Sequence, residues 1–546
     1  MPQQFADGVG SAVPWRLRAE HLDQPLGIGE RRPRLSWLLP SAATAQYGYR
    51  LAVADGSDTG WMPGSDSVLV PWPFAPLGSS ARVTVRVAVR TDLGESPFSA
   101  PLTVEAGLLS AADWVSSWVS PVEQYVAPAG RRPAHELRGY LPVAAGRPVA
   151  RARLYATAHG LYEVFIGGVR VGDQELTPGF TQYGKRLQVQ AYDVTELLSR
   201  VTTGSAEVTV LLSDGWWRGQ VGTLRSSDQW GTTTAFLGQF HVWYADGAAV
   251  GSGTGPSWES RPSRLLAADL IEGQRTDLRL VTMAGTGAGW RPVLPGPAEP
   301  GFGRLTWSPA PPVRRVQELR PVSVTRIAPG RQVIDLGQNI NGWVRLADAG
   351  PAGTEVTLTH GEWLGPDGDV TVEHLAELVR AAGTHLRTGF LSTPYLLPVL
   401  ADHGHADLAY EPLLRDTPPS WLAMIDRGAT TVWESWEGVD SAGQPHESLN
   451  HYSKGAVIDF LHRYTAGIRL AGEPAYRSFV IEPVPGGGLT SASAAHRSPY
   501  GLIGSSWELA GEDRLRLTVR VPPGTTATVL VNGTETAVGP GRHEFT

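Results

Sequence analysis

The hydrophobic pattern of this chain changes period once, and that change limits the fold more than any other feature. Up to about residue 372, apolar and polar positions alternate, which sends successive side chains to opposite faces of a strand. The run ARVTVRVAVRTDLGESPFS from Ala81 to Ser99 carries the pattern, and turn clusters such as DGSDTG separate one such run from the next. From Leu375 to Leu470 the apolar spacing becomes three and four, as on a helix facing a core. Leu375, Leu378, Val379 and Ala382 lie on one helical face that Gly383 closes, and Thr393-Pro394 and Thr417-Pro418 each read as an N-cap followed by proline at N1. In SLNHYSKGAVIDFLHRYTAGI, Val457, Phe460, Leu461 and Tyr464 share a face and Gly467 is the stop. From about residue 475 strands return, and Asn532-Gly533 is a hairpin turn between two of them. The fold class expected is multidomain and mainly β, with a set of helical hairpins and a C-terminal sandwich.

At 546 residues, the chain has room for roughly three to five domains. Its 64 glycines and 43 prolines suit many short strands joined by tight turns. A net charge of −7 supplies no basic footprint, so nucleic acid is excluded as a partner class. The absence of cysteine removes disulfides, thiolate metal sites and a thiol nucleophile together. MPQQFADGVGSAVPW lacks both a basic and an apolar signal region, and no apolar run approaches the ~20 residues a membrane helix needs. A cytoplasmic protein is therefore expected, with no membrane partner.

The first segment has the rhythm of a fibronectin type III-like sandwich. Its Asp55–Asp58 acidic cluster reads as a turn before it reads as a calcium site. Further on, Ile166-Gly167-Gly168-Val169 forms a hairpin turn, and AEVTVLLSDGWWRGQ brings Trp216 and Trp217 to the end of a buried strand. These indoles either cradle a sugar or pack under the next loop, and packing is the more frequent use. Val356, Leu358 and His360 alternate after a Pro-Ala-Gly turn as a further sandwich strand. His403 and His405 diverge on a helix and gather no further ligands, so no metal is expected.

One short stretch concentrates chemistry. TTVWESWEG, Thr430–Gly438, sets two tryptophans and two glutamates within five residues. A strand or loop that buries its indoles and leaves its carboxylates wet would look like this. So would a sugar site, with indole faces as its floor and a carboxylate for acid/base work on a glycosidic bond.

Taken in order, several stretches resemble the bacterial α-L-rhamnosidases of glycoside hydrolase family 78. YEVFIGGVRVGDQELTPGFTQYGKRLQVQAYDVTELL with LLSDGWWRGQVG is similar to the family's N-terminal jelly roll. DLGQNINGWVRL with LTHGEWL is similar to its second sandwich, and ATTVWESWEGVD with PHESLNHYSKGAV to the part of the catalytic domain that holds the general base. The resemblance implies a division into 1–108, a fibronectin type III-like sandwich; 109–305, the jelly-roll module; 306–374, a partial concanavalin-like sandwich; 375–472, a remnant of the six-hairpin catalytic toroid; and 473–546, a C-terminal sandwich. It implies inverting hydrolysis of terminal α-L-rhamnose from a rhamnose-containing glycoside or oligosaccharide, without cofactor or metal. Glu434 matches the general base, Trp433 and Trp436 site-lining aromatics, and His451 a rhamnose contact. A non-catalytic carbohydrate-binding protein and an inactive deletion product are the alternatives.

Twelve helices of about 11–12 residues with short loops need roughly 200 residues, and Leu375–Leu470 supplies 96. The toroid cannot close. The acidic stretch that carries the family's general acid has no counterpart, so the acid is unknown, and the join lies near His374-Leu375. Glu437, Asp440, Glu447 and Asp416 are the carboxylates left to substitute for it. Helix faces without their covering hairpins would favour self-association.

Overall fold

The computed structural model describes residues 11–222, 225–280, 289–296, 304–338, 340–347, 350–351, 353–360, 397–398, 401–402, 406–440, 443–471, 473–510 and 514–546. In the first 110 residues the alternation becomes a sandwich. Gln46–Val53 pairs antiparallel with Arg82–Thr91, matching Leu51 to Val87 and Val53 to Val85, all buried. A two-stranded sheet, Trp15–Ala19 with Leu35–Leu38, adds Leu35 and Trp37 to the same core. The Trp37 indole N–H donates to Gln46 Oε1 at 3.0 Å, and the Gln46 amide donates to the Asp66 carbonyl at 2.7 Å, so this buried polar pair is satisfied. Asp55 accepts from the Ser57 N–H and Asp58 pairs with Arg50. The acidic cluster is a turn.

The next unit stacks a six-stranded sheet on a seven-stranded one. The first is built on His135–Pro142, Leu161–Ile166 and Ser205–Ser213, and the second on Val149–His159, Leu187–Asp193 and Ala235–Tyr244. Leu137, Val164, Val208 and Val210 from one face meet Leu154, Ala156, Phe236 and Phe240 from the other. The Gly167-Gly168 turn has φ of 56° and 79°, the left-handed pair that a two-residue hairpin requires. Glu105, at the end of the first sandwich, forms two 2.8 Å bonds with Arg153, and both groups are buried. Trp307 seals the same seam so closely that a Cβ at Gly107 would lie 2.0 Å from its ring.

Trp217 is packed rather than displayed. His159 is stacked between its ring, at 4.0 Å, and that of Trp118, at 4.3 Å. Arg218 fixes the turn from below through Glu123 and Asp214, each at 2.7 Å. Trp216 is half-buried against the exposed Phe180.

Between Trp307 and His360 the strands among the described residues form one hairpin, Ser323–Ala328 with Arg331–Asp335, and no facing sheet is found among them. This corrects the expectation of a strand through Val356, Leu358 and His360. That run forms no strand with any of the described residues, and Val356 and Leu358 are exposed. Alternation makes a strand only where a neighbour accepts its hydrogen bonds.

The predicted helix over Leu375–Ala382, the Thr393-Pro394 cap, His403 and His405 fall outside the described residues. Of the remaining helical signals, the Thr417-Pro418 cap is displaced. The helix runs Trp421–Asp426, and Ser420 caps it by accepting from the Ala423 N–H at 3.1 Å. Pro419 is the cause, because a residue that precedes proline is pushed out of the helical region, and Pro418 precedes it. Ala406–Leu414, Tyr452–Gly455 and Val457–Phe460 are helical, a π turn spans Leu461–Thr465, and Gly467 ends the run at φ 81°. No helix among the described residues is long and apolar enough to cross a membrane.

The closing sandwich has two four-stranded sheets, with Asn532-Gly533 joining Thr526–Val531 to Thr534–Val538 as the sequence predicts. It receives the helical segment through buried groups. The Tyr410 hydroxyl donates to the Val484 carbonyl at 2.6 Å and lies 2.9 Å from the Thr465 hydroxyl, while the Trp507 indole N–H donates to the Thr465 carbonyl at 2.7 Å.

The His159 stack generates a pH prediction. Burial lowers the pKa of this ring from 6.5 to about 4, and neither ring nitrogen has a hydrogen-bond partner among the described residues. The unfolded chain therefore binds the extra proton first, and stability present above pH 6.5 is lost as pH falls toward 4. Thermal melting of His159→Phe should show a shallower loss over that window than the parent chain.

Candidate active site

Glu434 sits on a turn held at both ends by main-chain bonds. Its N–H donates to the Ser448 carbonyl at 2.8 Å, and the His451 N–H donates to the Val432 carbonyl at 2.8 Å. These two bonds fold residues 432–434 against 448–451 and close the seventeen-residue separation between Glu434 and His451. Glu434 Oε1 lies 3.8 Å from His451 Nε2, with the side chains 30% and 22% exposed. Ser448 N–H approaches the other carboxylate oxygen at 3.3 Å.

His451 caps the helix Tyr452–Gly455 with its ring. Nδ1 accepts from the Ser453 N–H at 3.3 Å and lies 2.7 Å from the Ser453 hydroxyl. A main-chain N–H can only donate, so Nδ1 is the acceptor and the neutral ring carries its proton on Nε2, facing Glu434. Tyr452, 83% exposed, stacks on the outer side of the imidazole at 5.0 Å. A carboxylate and an N–H thus converge on one solvent-accessible spot. That pair can hold a water or a sugar hydroxyl between an acceptor and a donor.

The two indoles divide their roles. Trp433 is 1% exposed and packs on Met424, Val439 and Leu449, and a Cβ at Gly438 would sit 2.7 Å from its ring. Its ring offers no face to a ligand, which departs from the expectation of a site-lining aromatic. Trp436 is half-buried, edge-to-face with Trp421 at 4.9 Å, and its buried indole N–H has no hydrogen-bond partner among the described residues.

The other carboxylates are engaged or peripheral. Asp440 accepts from the Gln444 N–H at 2.8 Å and lies 3.0 Å from His446 Nε2, so it closes its own loop. Glu437 and Asp416 are exposed, and Glu447 is half-buried. Among the described residues no cluster of His, Asp or Glu has metal-binding geometry. Sequence reasoning missed Ser448, Ser453 and Lys454. The serines carry no periodic signal, while Lys454 had one in its rarity, since the chain has only one other lysine, Lys185.

Five family profiles match the chain in order. They are the Rha78A-like N-terminal immunoglobulin domain (residues 14–110), the alpha-L-rhamnosidase N-terminal domain (147–317), the bacterial alpha-L-rhamnosidase concanavalin-like domain (325–388), its 6 hairpin glycosidase domain (365–465) and its C-terminal domain (467–546). The chain belongs to the bacterial α-L-rhamnosidase family. An alpha-L-rhamnosidase of Streptomyces avermitilis is 39% identical over 301 residues, which are 52% of this chain and 26% of that one. One of Formosa agariphila is 43% identical over 163 residues, or 29% and 17%. This family member thus aligns with about a quarter or less of either relative. The crystal structure of the Streptomyces avermitilis enzyme complexed with L-rhamnose superposes with a TM-score of 0.84 at 21% identity, covering 97% of this chain and 99% of that one. The enzyme from Dictyoglumus thermophilum gives 0.77 at 17%, covering 98% and 99%. At these identities the likeness is one of fold. The concanavalin-like and 6 hairpin matches overlap across residues 365–388, the interval in which the join expected from the sequence near His374-Leu375 falls.

The burial of Trp433 makes a prediction that separates floor from core. Trp433→Ala should cost about 3–5 kcal/mol of stability, the usual range for emptying a buried tryptophan site. Denaturant unfolding of the full chain measures this, and a change confined to sugar affinity would contradict the core assignment.

Proposed function

We propose that this chain acts on terminal α-L-rhamnosides as an inverting glycoside hydrolase with Glu434 as its base. The observation that carries the reading is the 3.8 Å approach of the Glu434 carboxylate to the proton-bearing nitrogen of His451, on the segment matched by the 6 hairpin profile. Glu434 would take a proton from water as the oxygen bonds to the anomeric carbon, while His451 and the edge of Trp436 hold the sugar. Trp433 would support that floor from beneath.

The division into five modules, with a toroid remnant at 375–472, is supported by the ends of the described sheets and by the order of the profiles. No residue is assigned as the acid. The glycosidic oxygen would then leave as an unprotonated alkoxide or phenolate, which costs about 10²–10⁴ in rate for a poor leaving group. Self-association belongs to the same reading. Its support lies less on the helices than on the open hairpin region, where Val322, Val324, Ile334 and Trp343 are exposed.

Hydrolysis should appear on an aryl α-L-rhamnoside, disappear in Glu434→Gln, and be slower by about 10²–10⁴ on alkyl rhamnosides, which need acid help most. Initial rates on the two substrate types measure this. Saturable L-rhamnose binding with no turnover would favour a carbohydrate-binding protein, and equal rates on both substrates would require an acid among the carboxylates set aside above.

A further inference from the structure

Only two of the 46 basic residues are lysine, and they sit in opposite environments. Lys185 is exposed, while Lys454 is 4% exposed, inside the helix that His451 caps. The Lys454 ammonium donates to the main-chain carbonyl of Glu434 and lies 5.0 Å from the centre of the Trp436 ring. The Lys454 carbonyl accepts from the Trp421 indole N–H at 3.0 Å, and Trp421 in turn abuts Trp436. Among the described residues no carboxylate forms an ion pair with this ammonium.

A buried charge without an ion-pair partner is costly, and a hydrophobic residue of similar volume would avoid that cost. An arginine would not fit the arrangement. Its planar fork seeks two acceptors, whereas a compact ammonium fits one carbonyl under an indole face. We propose that Lys454 is a positioning residue for Glu434: it clamps the main chain of the Trp433–Glu437 turn and the Trp436 ring together, so that the carboxylate stays aimed at His451. This rests on the reading of Glu434 as the base. Lys454 touches no reacting atom, and its effect passes through Glu434.

The two groups are also electrostatically coupled. Burial lowers the Lys454 pKa from its ordinary 10.5, and the negative charge of Glu434 opposes that shift. Among the described residues Glu434 is the charged group that bears on Lys454, and the same carboxylate lies 3.8 Å from His451 Nε2.

Selective ¹³Cε-lysine labelling of the full chain yields two resonances, and Lys454→Met assigns them. Lys454 should titrate below Lys185. In Glu434→Gln it should move lower still, because the charge favouring the ammonium is gone, while Lys185 should not move. On an aryl α-L-rhamnoside, Lys454→Met should lower kcat about tenfold or more with KM within about twofold, as expected when a reacting group is misaimed and sugar binding is left intact. Co-titration of the two lysines, no response of Lys454 to Glu434→Gln, or a parental kcat in Lys454→Met would each overturn the proposal. Absence of turnover in the parent chain would overturn the hydrolase reading, and the titration would still decide the coupling of Lys454 to Glu434. If Lys454→Met does not fold, the response to Glu434→Gln assigns the resonance and decides alone.

Discussion

The docking of the helical segment on the C-terminal sandwich is the contact on which the candidate site depends. Short helices of four to nine residues are not stable alone, and these lie in a segment too short for a closed toroid. Tyr410 supplies the anchor. Its ring packs against Phe460, its hydroxyl reaches Val484 and Thr465, and Gly486 approaches so closely that a Cβ there would lie 2.3 Å from the ring. Burial raises the pKa of that phenol, and burial likewise pushes the Tyr464 phenol up to about 12, its hydroxyl donating to Asp402 at 2.6 Å. Both phenols remain neutral donors across the working pH range.

From this anchor the site follows by short steps. Phe460 and Tyr464 fix the last helical turn, and the helix before it places His451 at its cap and Lys454 on its inner side. The paired segments 432–434 and 448–451 then bring Glu434 to His451. Among the described residues these contacts alone define the geometry around Glu434. A carboxylate, an imidazole N–H and an indole edge suffice to orient a sugar ring, but they supply only one of the two proton transfers that an inverting glycosidase uses.

Much of the fold was legible because it rests on local rules. Period two predicted the first two sandwiches, since each strand has one buried face. The Gly167-Gly168 and Asn532-Gly533 turns were readable because positive φ is costly for most other residues. Local rules failed where a neighbour decided the outcome. Val356 and Leu358 alternate without forming a strand, Pro419 displaced a cap that Thr417-Pro418 spelled correctly in isolation, and Trp217 and Trp433 turned inward where their sequence surroundings left both directions open.

The sequence alone determined the order of strand-rich and helical segments, the turns that join the strands, the presence of a carboxylate among indoles and a helical segment too short for the toroid that the family resemblance implies. Each of these is a property of composition, spacing or length. Only the tertiary structure decided which indole is buried, that His451 faces Glu434 with its proton on Nε2, and that Lys454 lies beneath the turn carrying the carboxylate. Glu434 meets Ser448, His451 and Lys454 from 14 to 20 positions away, at spacings that share no period, and main-chain hydrogen bonds hold the two segments together. Their energies depend on distance and burial, which the chain acquires only on folding.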